Sequence, residues 1–316
     1  MHSVSNVIMN YIIFNINVNI LLKKGVVMEE KFERMRMYFL ENGDETLEGL
    51  EFQGYKLLKV NEDWLSYWLP ANEIEWLKSR DRGNIKKQWF ILCKELEQNE
   101  PDLFDIQKSF NIALHIYYDT NAFIKFTVLG RRKNNIISGP AGDGLPDILQ
   151  FDRYNTKNSP IEKDKLQPFL NIYNYINLNI FLKTALDTFY LCLQSDNINL
   201  RFILLIITLE ILFLSKDDKY RKTKKLSHNI AVFLGKTEFD SNEINENIIN
   251  FYNYRSQFIH AGNSVNIKED TLYELSEYVR KILKCMIIKT DILNDKEAYI
   301  KVLNESAFGD NPYHIE

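Results

Sequence analysis

Residues 199–214 read NLRFILLIITLEILFL, and the fold turns on what this run is. A surface helix shows an apolar stripe every three or four residues, and a half-buried strand alternates. This run does neither, so it is an element buried on every side. At this length it is a helix. It falls short of the roughly 20 clean apolar residues that cross a bilayer. A helix buried all round needs other helices around it. Glu210 is the only ionisable residue in 202–214. A carboxylate there costs on the order of several kcal/mol unless a cation pairs with it.

Outward from this run the texture stays helical. Residues 164–194 hold one or two helices. KKLSHNIAVFLG (224–235) is a helix closed by Gly235. Residues 242–260 and 268–293 are further periodic runs. Helices this dense make a bundle over 159–295, with 296–316 as a tail. Upstream, 28–158 is mixed and strand-rich. Residues 54–60, 64–70, 109–120 and 122–131 read as strands, the last two as a hairpin about Asp119–Asn121. Residues 72–78 and 85–98 read as helices. His115, inside an apolar segment, is structural. GPAGDG (139–144) lies in a loop and lacks the Lys-Ser/Thr of a phosphate loop. The polar stretch 151–164 marks the boundary. The fold class is α+β, a strand-rich N-terminal domain followed by an all-α helical bundle.

Composition narrows function by exclusion. The chain has 316 residues, 45% hydrophobic and 26% charged, enough to fill a core. Its net charge of −4 gives no global pull on nucleic acid, so any such contact needs a local patch. Cys93, Cys192 and Cys285 are far apart and odd in number, which fits a reducing cytoplasm. No metal-binding, P-loop, nucleophile-elbow or dinucleotide motif occurs, and neither metal nor cofactor is expected. Residues 7–22 are apolar but broken by four asparagines, so neither a signal peptide nor a span is expected. KKGVVMEE back-translates to a purine-rich, ribosome-binding-type stretch ahead of Met28. Residues 1–27 are therefore expected to be translated leader or a disordered extension.

The partner for Glu210 comes from NFYNYRSQFIHAGN, residues 250–263. At about 100° per residue, Ile244, Ile248, Phe251, Tyr252, Phe258 and Ile259 share one stripe, and Arg255 falls in its middle. A Glu210–Arg255 pair across two packed helices, with bidentate geometry, satisfies both charges. His260 sits about 140° from Arg255, at the helix C-terminus, where the dipole favours an imidazolium. Arginine and histidine together suit metal-free phosphodiester cleavage. The imidazole moves a proton at a ribose 2′-OH or the leaving oxygen, and the guanidinium stabilises charge on the phosphoryl oxygens. One pair offers too few groups, and two facing copies would supply them. SKDDKYRKTKKLSH (215–228) is the strongest local basic patch. Lys219, Arg221, Lys222, Lys224 and Lys225 are its candidate RNA-binding residues, against the alternative of a solvated loop.

Three of these segments together resemble the Apea-like branch of the HEPN superfamily. They are the apolar helix with an internal glutamate (201–213), the helix ending Leu-Gly (224–235), and YNYRSQFIHAGN (252–263). Arg255 to His260 matches the family's R-x4–6-H signature at its short spacing. Ala261 stands where the family usually has Gly directly after His. The resemblance implies a dimerising, metal-independent endoribonuclease of bacterial toxin or anti-phage abortive-infection systems. It carries over Arg255 and His260 as catalytic residues, with Glu210 supporting. It implies RNA, a second copy, and an antitoxin or trigger protein as partners, and a sensor or regulatory role for 28–158. The alternative is a non-catalytic HEPN binding module, with Arg255–Glu210 as a structural pair and the N-terminal domain recognising a ligand or protein.

Overall fold

The computed structural model describes residues 33–43, 45–80, 88–97, 106–120, 122–133, 136–138, 161–175, 179–216, 218, 220–261, 267–289 and 295–313. The proposed leader, the 139–144 turn cluster and most of the 151–164 boundary lie outside them. The architecture is α+β, a strand-rich N-terminal region followed by a helical one.

Among the described residues six strands form one antiparallel sheet in the order β2–β3–β4–β1–β5–β6. They are β1 Glu33–Glu41, β2 Glu51–Phe52, β3 Tyr55–Asn61, β4 Gln88–Leu96, β5 Phe123–Lys133 and β6 Ile136–Ser138. Both faces of the sheet are covered. Met37, Phe39, Ile91 and Cys93 face α1 (Glu62–Trp68) and α2 (Ala71–Arg80), packing with Leu65, Trp68 and Leu77. Tyr38, Leu40, Leu57 and Leu92 point the other way, toward α3 (Ile106–Tyr117).

Among the described residues seven helices follow: α4 Lys163–Tyr175, α5 Ile180–Gln194, α6 Ile198–Phe213, α7 Lys222–Leu234, α8 Glu238–Ala261, α9 Glu269–Ile288 and α10 Lys296–Glu305. The opening run is α6. Asn197 starts it, its side chain accepting from the Asn199 and Leu200 N–H groups at 2.9 and 3.1 Å. Phe202, Leu205, Ile206, Leu209, Leu212 and Phe213 are all buried along it. One continuous buried cluster joins these residues to Phe110, Leu114 and the α3 face of the sheet. The core therefore does not stop at the boundary read from composition.

Four segments differ from expectation. Residues 64–70 fall in and just after a helix, because the Asn61 side chain caps the Trp64 N–H at 3.0 Å and Glu62 and Asp63 occupy the first turn. Residues 88–96 are a strand at the centre of the sheet. With both faces buried, its apolar residues run on without alternating, which imitates a helix. Residues 109–120 form most of α3 and its exit, not one arm of a hairpin. Phe110, Ile112, Ala113, Leu114 and Ile116 crowd into one short buried run, and a run that short reads equally well as a buried strand. The 296–316 tail contributes α10. Tyr299 there is buried and donates a hydrogen bond to the Leu212 carbonyl.

Two side-chain amides finish the sheet edges. The Gln167 Oε1 accepts from the Glu51 N–H at 2.8 Å while its Nε2 donates to the Glu51 carbonyl at 2.9 Å. On β5 the register shifts between Phe39 and Leu40, passing over residue 125. Buried Asn111 meets Ile124 beside that irregularity. Its Oδ1 accepts from the Ile124 N–H at 2.7 Å and its Nδ2 donates to the Ile124 carbonyl at 3.1 Å. Each amide stands in for one residue of a neighbouring strand.

Candidate active site

The structure brings Glu210 and Arg255 together across α6 and α8. The nearest approach, Arg255 Nη2 to Glu210 Oε2, is 3.7 Å. That is too long for the bidentate fork expected from the sequence, and the two side chains keep 22% and 20% exposure. The pair is a water-edged contact, not a buried clamp. The Arg255 guanidinium lies 5.4 Å from the Tyr252 ring centre, within cation–π range. Burial raises the Tyr252 phenol's pKa, and the Glu210 charge and a hydrogen bond with Glu210 raise it further, against a lowering by Arg255. Tyr252 therefore stays protonated beside the carboxylate that the arginine faces. The Arg255 Nε makes no hydrogen bond among the described residues.

Tyr252 was visible in the sequence as part of the apolar stripe, but its role at Glu210 was not. The signal was its spacing, one turn ahead of Arg255 on the same face. The stripe itself holds only part of the way. Ile248 and Phe251 are buried, whereas Ile259 is 46% exposed, and Tyr254, which lies off the stripe, is 40% exposed. The last two turns of α8 carry apolar side chains at the surface beside the arginine.

His260 lies within α8, which runs on to Ala261. Its side chain is outside the described part. The backbone is decisive even so. Helical geometry is kept through both residues, so Arg255 and His260 stay about 140° apart around the axis. Ala261 does not bend one toward the other.

The basic segment sits nearby along the chain. α7 and α8 form an antiparallel helix pair across a three-residue turn, residues 235–237. Gly235 is required there, since a Cβ would collide with Ser241 Oγ and stand 2.8 Å from the Ala231 carbonyl oxygen. At about 1.5 Å per residue, the start of α7 comes level with residue 250 or so, within roughly two turns of Arg255. Arg221, Lys222 and Lys224 are exposed. Lys225 is bonded to Asp218, whose other oxygen accepts from the Ser215 N–H at 2.8 Å. Lys225 thus pins the loop before α7. Lys219 lies outside the described residues. Burial works to raise the Asp218 carboxyl, but its bonds from Lys225 and Ser215 and the Lys225 and Lys222 charges outweigh that and hold its pKa below the ordinary value.

Other reactive groups are inert or structural. Burial pushes the Cys93 and Cys285 thiols up to about 11, far from thiolate at neutral pH. His115 is buried, its Nδ1 2.7 Å from the Asn111 carbonyl. Among the described residues no three His, Cys, Asp or Glu side chains gather as a metal site, and no helix is long and apolar enough to cross a membrane. No family model, curated protein or solved structure matches the chain.

Proposed function

We propose that the chain is a metal-independent endoribonuclease of a bacterial defence or toxin system, acting as a homodimer. The observation that carries this is the end of α8. It carries the Arg255 guanidinium facing Glu210 and Tyr252, with exposed Tyr254 and Ile259 beside the arginine, and His260 follows five residues on along the helix. One helix cannot aim both groups at the same phosphate. Two α8 ends meeting through the exposed apolar residues would set Arg255 of one copy against His260 of the other.

In that arrangement one imidazole takes the proton of a ribose 2′-OH. The 2′-oxygen attacks phosphorus, and the bond to the 5′-oxygen breaks. The second imidazole, as imidazolium, gives that oxygen its proton, while the two guanidiniums stabilise the charge on the phosphoryl oxygens. The exposed cations at the start of α7 would hold the flanking backbone. The acidic balance elsewhere leaves this as the favourable approach for RNA.

The experiment is RNA cleavage in EDTA, wild type against His260→Ala and Arg255→Ala. Cleavage that survives chelation and falls at least about 100-fold in each variant, as expected for loss of an acid–base or charge-stabilising group, supports the assignment. Equal cleavage by His260→Ala and wild type sinks it. The second reading, a non-catalytic binding module, is favoured by one observation, the direct contact of Arg255 with Glu210. It predicts no cleavage by wild type and a stability loss confined to Arg255→Ala.

A further inference from the structure

A separate cavity of about 270 Å³ opens where the segment after α3 meets α5, α6 and α9. Phe189, Leu205 and Leu272 give it an apolar lining, and Arg201 and Arg280 line it with charge. The two arginines differ. Arg280 is committed on both arms. Its Nη1 lies 3.3 Å from Asp119 and its Nη2 is bonded to Glu277, with Arg280 and Asp119 only 10% and 8% exposed. Arg201 has no ion-pair partner among the described residues, and its Nε is buried without a hydrogen bond. Burial lowers the Arg280 pKa, Asp119 opposes this, and the Arg201 charge lowers it further, so the two guanidiniums feel each other. Asp196 and Glu269, both exposed, also line the cavity, on its solvent side.

We propose that this cavity binds a small organic monocarboxylate, its carboxylate on the Arg201 guanidinium and its apolar body against Phe189, Leu205 and Leu272. Charge decides the class. Among the described residues the cavity holds one uncommitted cation, and a single negative charge satisfies it. A phosphate dianion would bring a second charge up against Asp119, Asp196 and Glu269. Shape agrees, since a partly desolvated guanidinium offers two parallel N–H donors matched to a carboxylate. Size agrees too. At about 30 Å³ per liquid water the space equals about nine waters, the bulk of a ligand of about ten heavy atoms. Occupancy here does not depend on whether the Arg255 site cuts RNA.

The full chain is titrated with benzoate and phenylacetate, with their amides as neutral counterparts and benzylamine as a cation, following thermal unfolding. A carboxylate at about ten times its Kd is expected to raise the midpoint by about 1–2 °C while its amide does not. Arg201→Gln should weaken that binding by about tenfold or more. Ser276→Phe, which fills the cavity from α9 and leaves Arg201 in place, should abolish it, and it decides the question if Arg201→Gln does not fold. The proposal is overturned if neither carboxylate shifts the midpoint, if amides or benzylamine act equally, or if the shift survives the cavity-filling variant.

Discussion

At the scale of single residues, distance and exposure set the worth of the Arg255–Glu210 contact. A fully buried pair that loses one partner costs about 3–5 kcal/mol, whereas an exposed one contributes about 0–1 kcal/mol. At 3.7 Å and about one-fifth exposure this pair lies between them. Arg255→Ala should cost about 1–2 kcal/mol in a urea melt. A loss near 4 kcal/mol would mean that the charge is far less hydrated than the geometry shows. Asp218 gives a pH-dependent case. Its folded pKa lies below its unfolded one, so its contribution is complete above the ordinary carboxylate range and fades as pH falls through the folded value. Asp218→Asn should therefore destabilise fully at pH 7, and the gap to wild type should close below about pH 4. A constant gap down to pH 2 would remove Lys225–Asp218 as its cause. Of the candidate site, the Glu210–Arg255 partnership was legible in the sequence, because each was a lone charge in an apolar setting. Tyr252 hid as a hydrophobe, and Lys225's commitment to Asp218 depended on a loop conformation that no local pattern encodes.

Among the elements, unbroken runs of buried apolar residues hid the type. α9 keeps a wet face, so its period shows through, and Gly235 and the Asn197 cap mark ends that local chemistry fixes. In α3 the run from Phe110 to Ile116 is buried without a break, and β4 is apolar on both faces over Trp89–Cys93, so each was read as the other's type. Only tertiary contacts separate them. Asn111 makes this concrete for α3. From inside an apolar helix it supplies the β5 edge with both a donor and an acceptor. Asn111→Ala leaves the Ile124 N–H buried without that partner, at about 1–3 kcal/mol, while the Ile124 carbonyl keeps the Gln107 Nε2 donor at 3.1 Å. A loss of about 1–3 kcal/mol in a denaturant melt is expected, and a loss under about 0.5 kcal/mol would show that water replaces the amide.

On the scale of the whole molecule, the sheet and the helices are not independent. Tyr118 Oη donates to the Glu162 carbonyl at 3.1 Å and accepts from the Glu162 N–H at 2.9 Å, and Lys108 pairs with Asp187 at 2.6 Å. Phe110 and Leu114 share one buried cluster with Phe189 and Leu205. A fragment beginning at residue 161 should therefore expose a broad apolar face. Dye binding and a broad, weakly cooperative melt are its expected signs, and a sharp melt matching the full chain would argue for separable halves. The edge amides have a different consequence, for how the protein behaves among other chains. An open strand edge is a row of unmet donors and acceptors on which foreign strands can grow. Gln167 occupies that row at Glu51 and Asn111 occupies it at Ile124, so a stray strand arriving at either place finds a peptide-shaped group already seated. Two uncharged side chains, costing no net charge, thereby give the sheet a defined width.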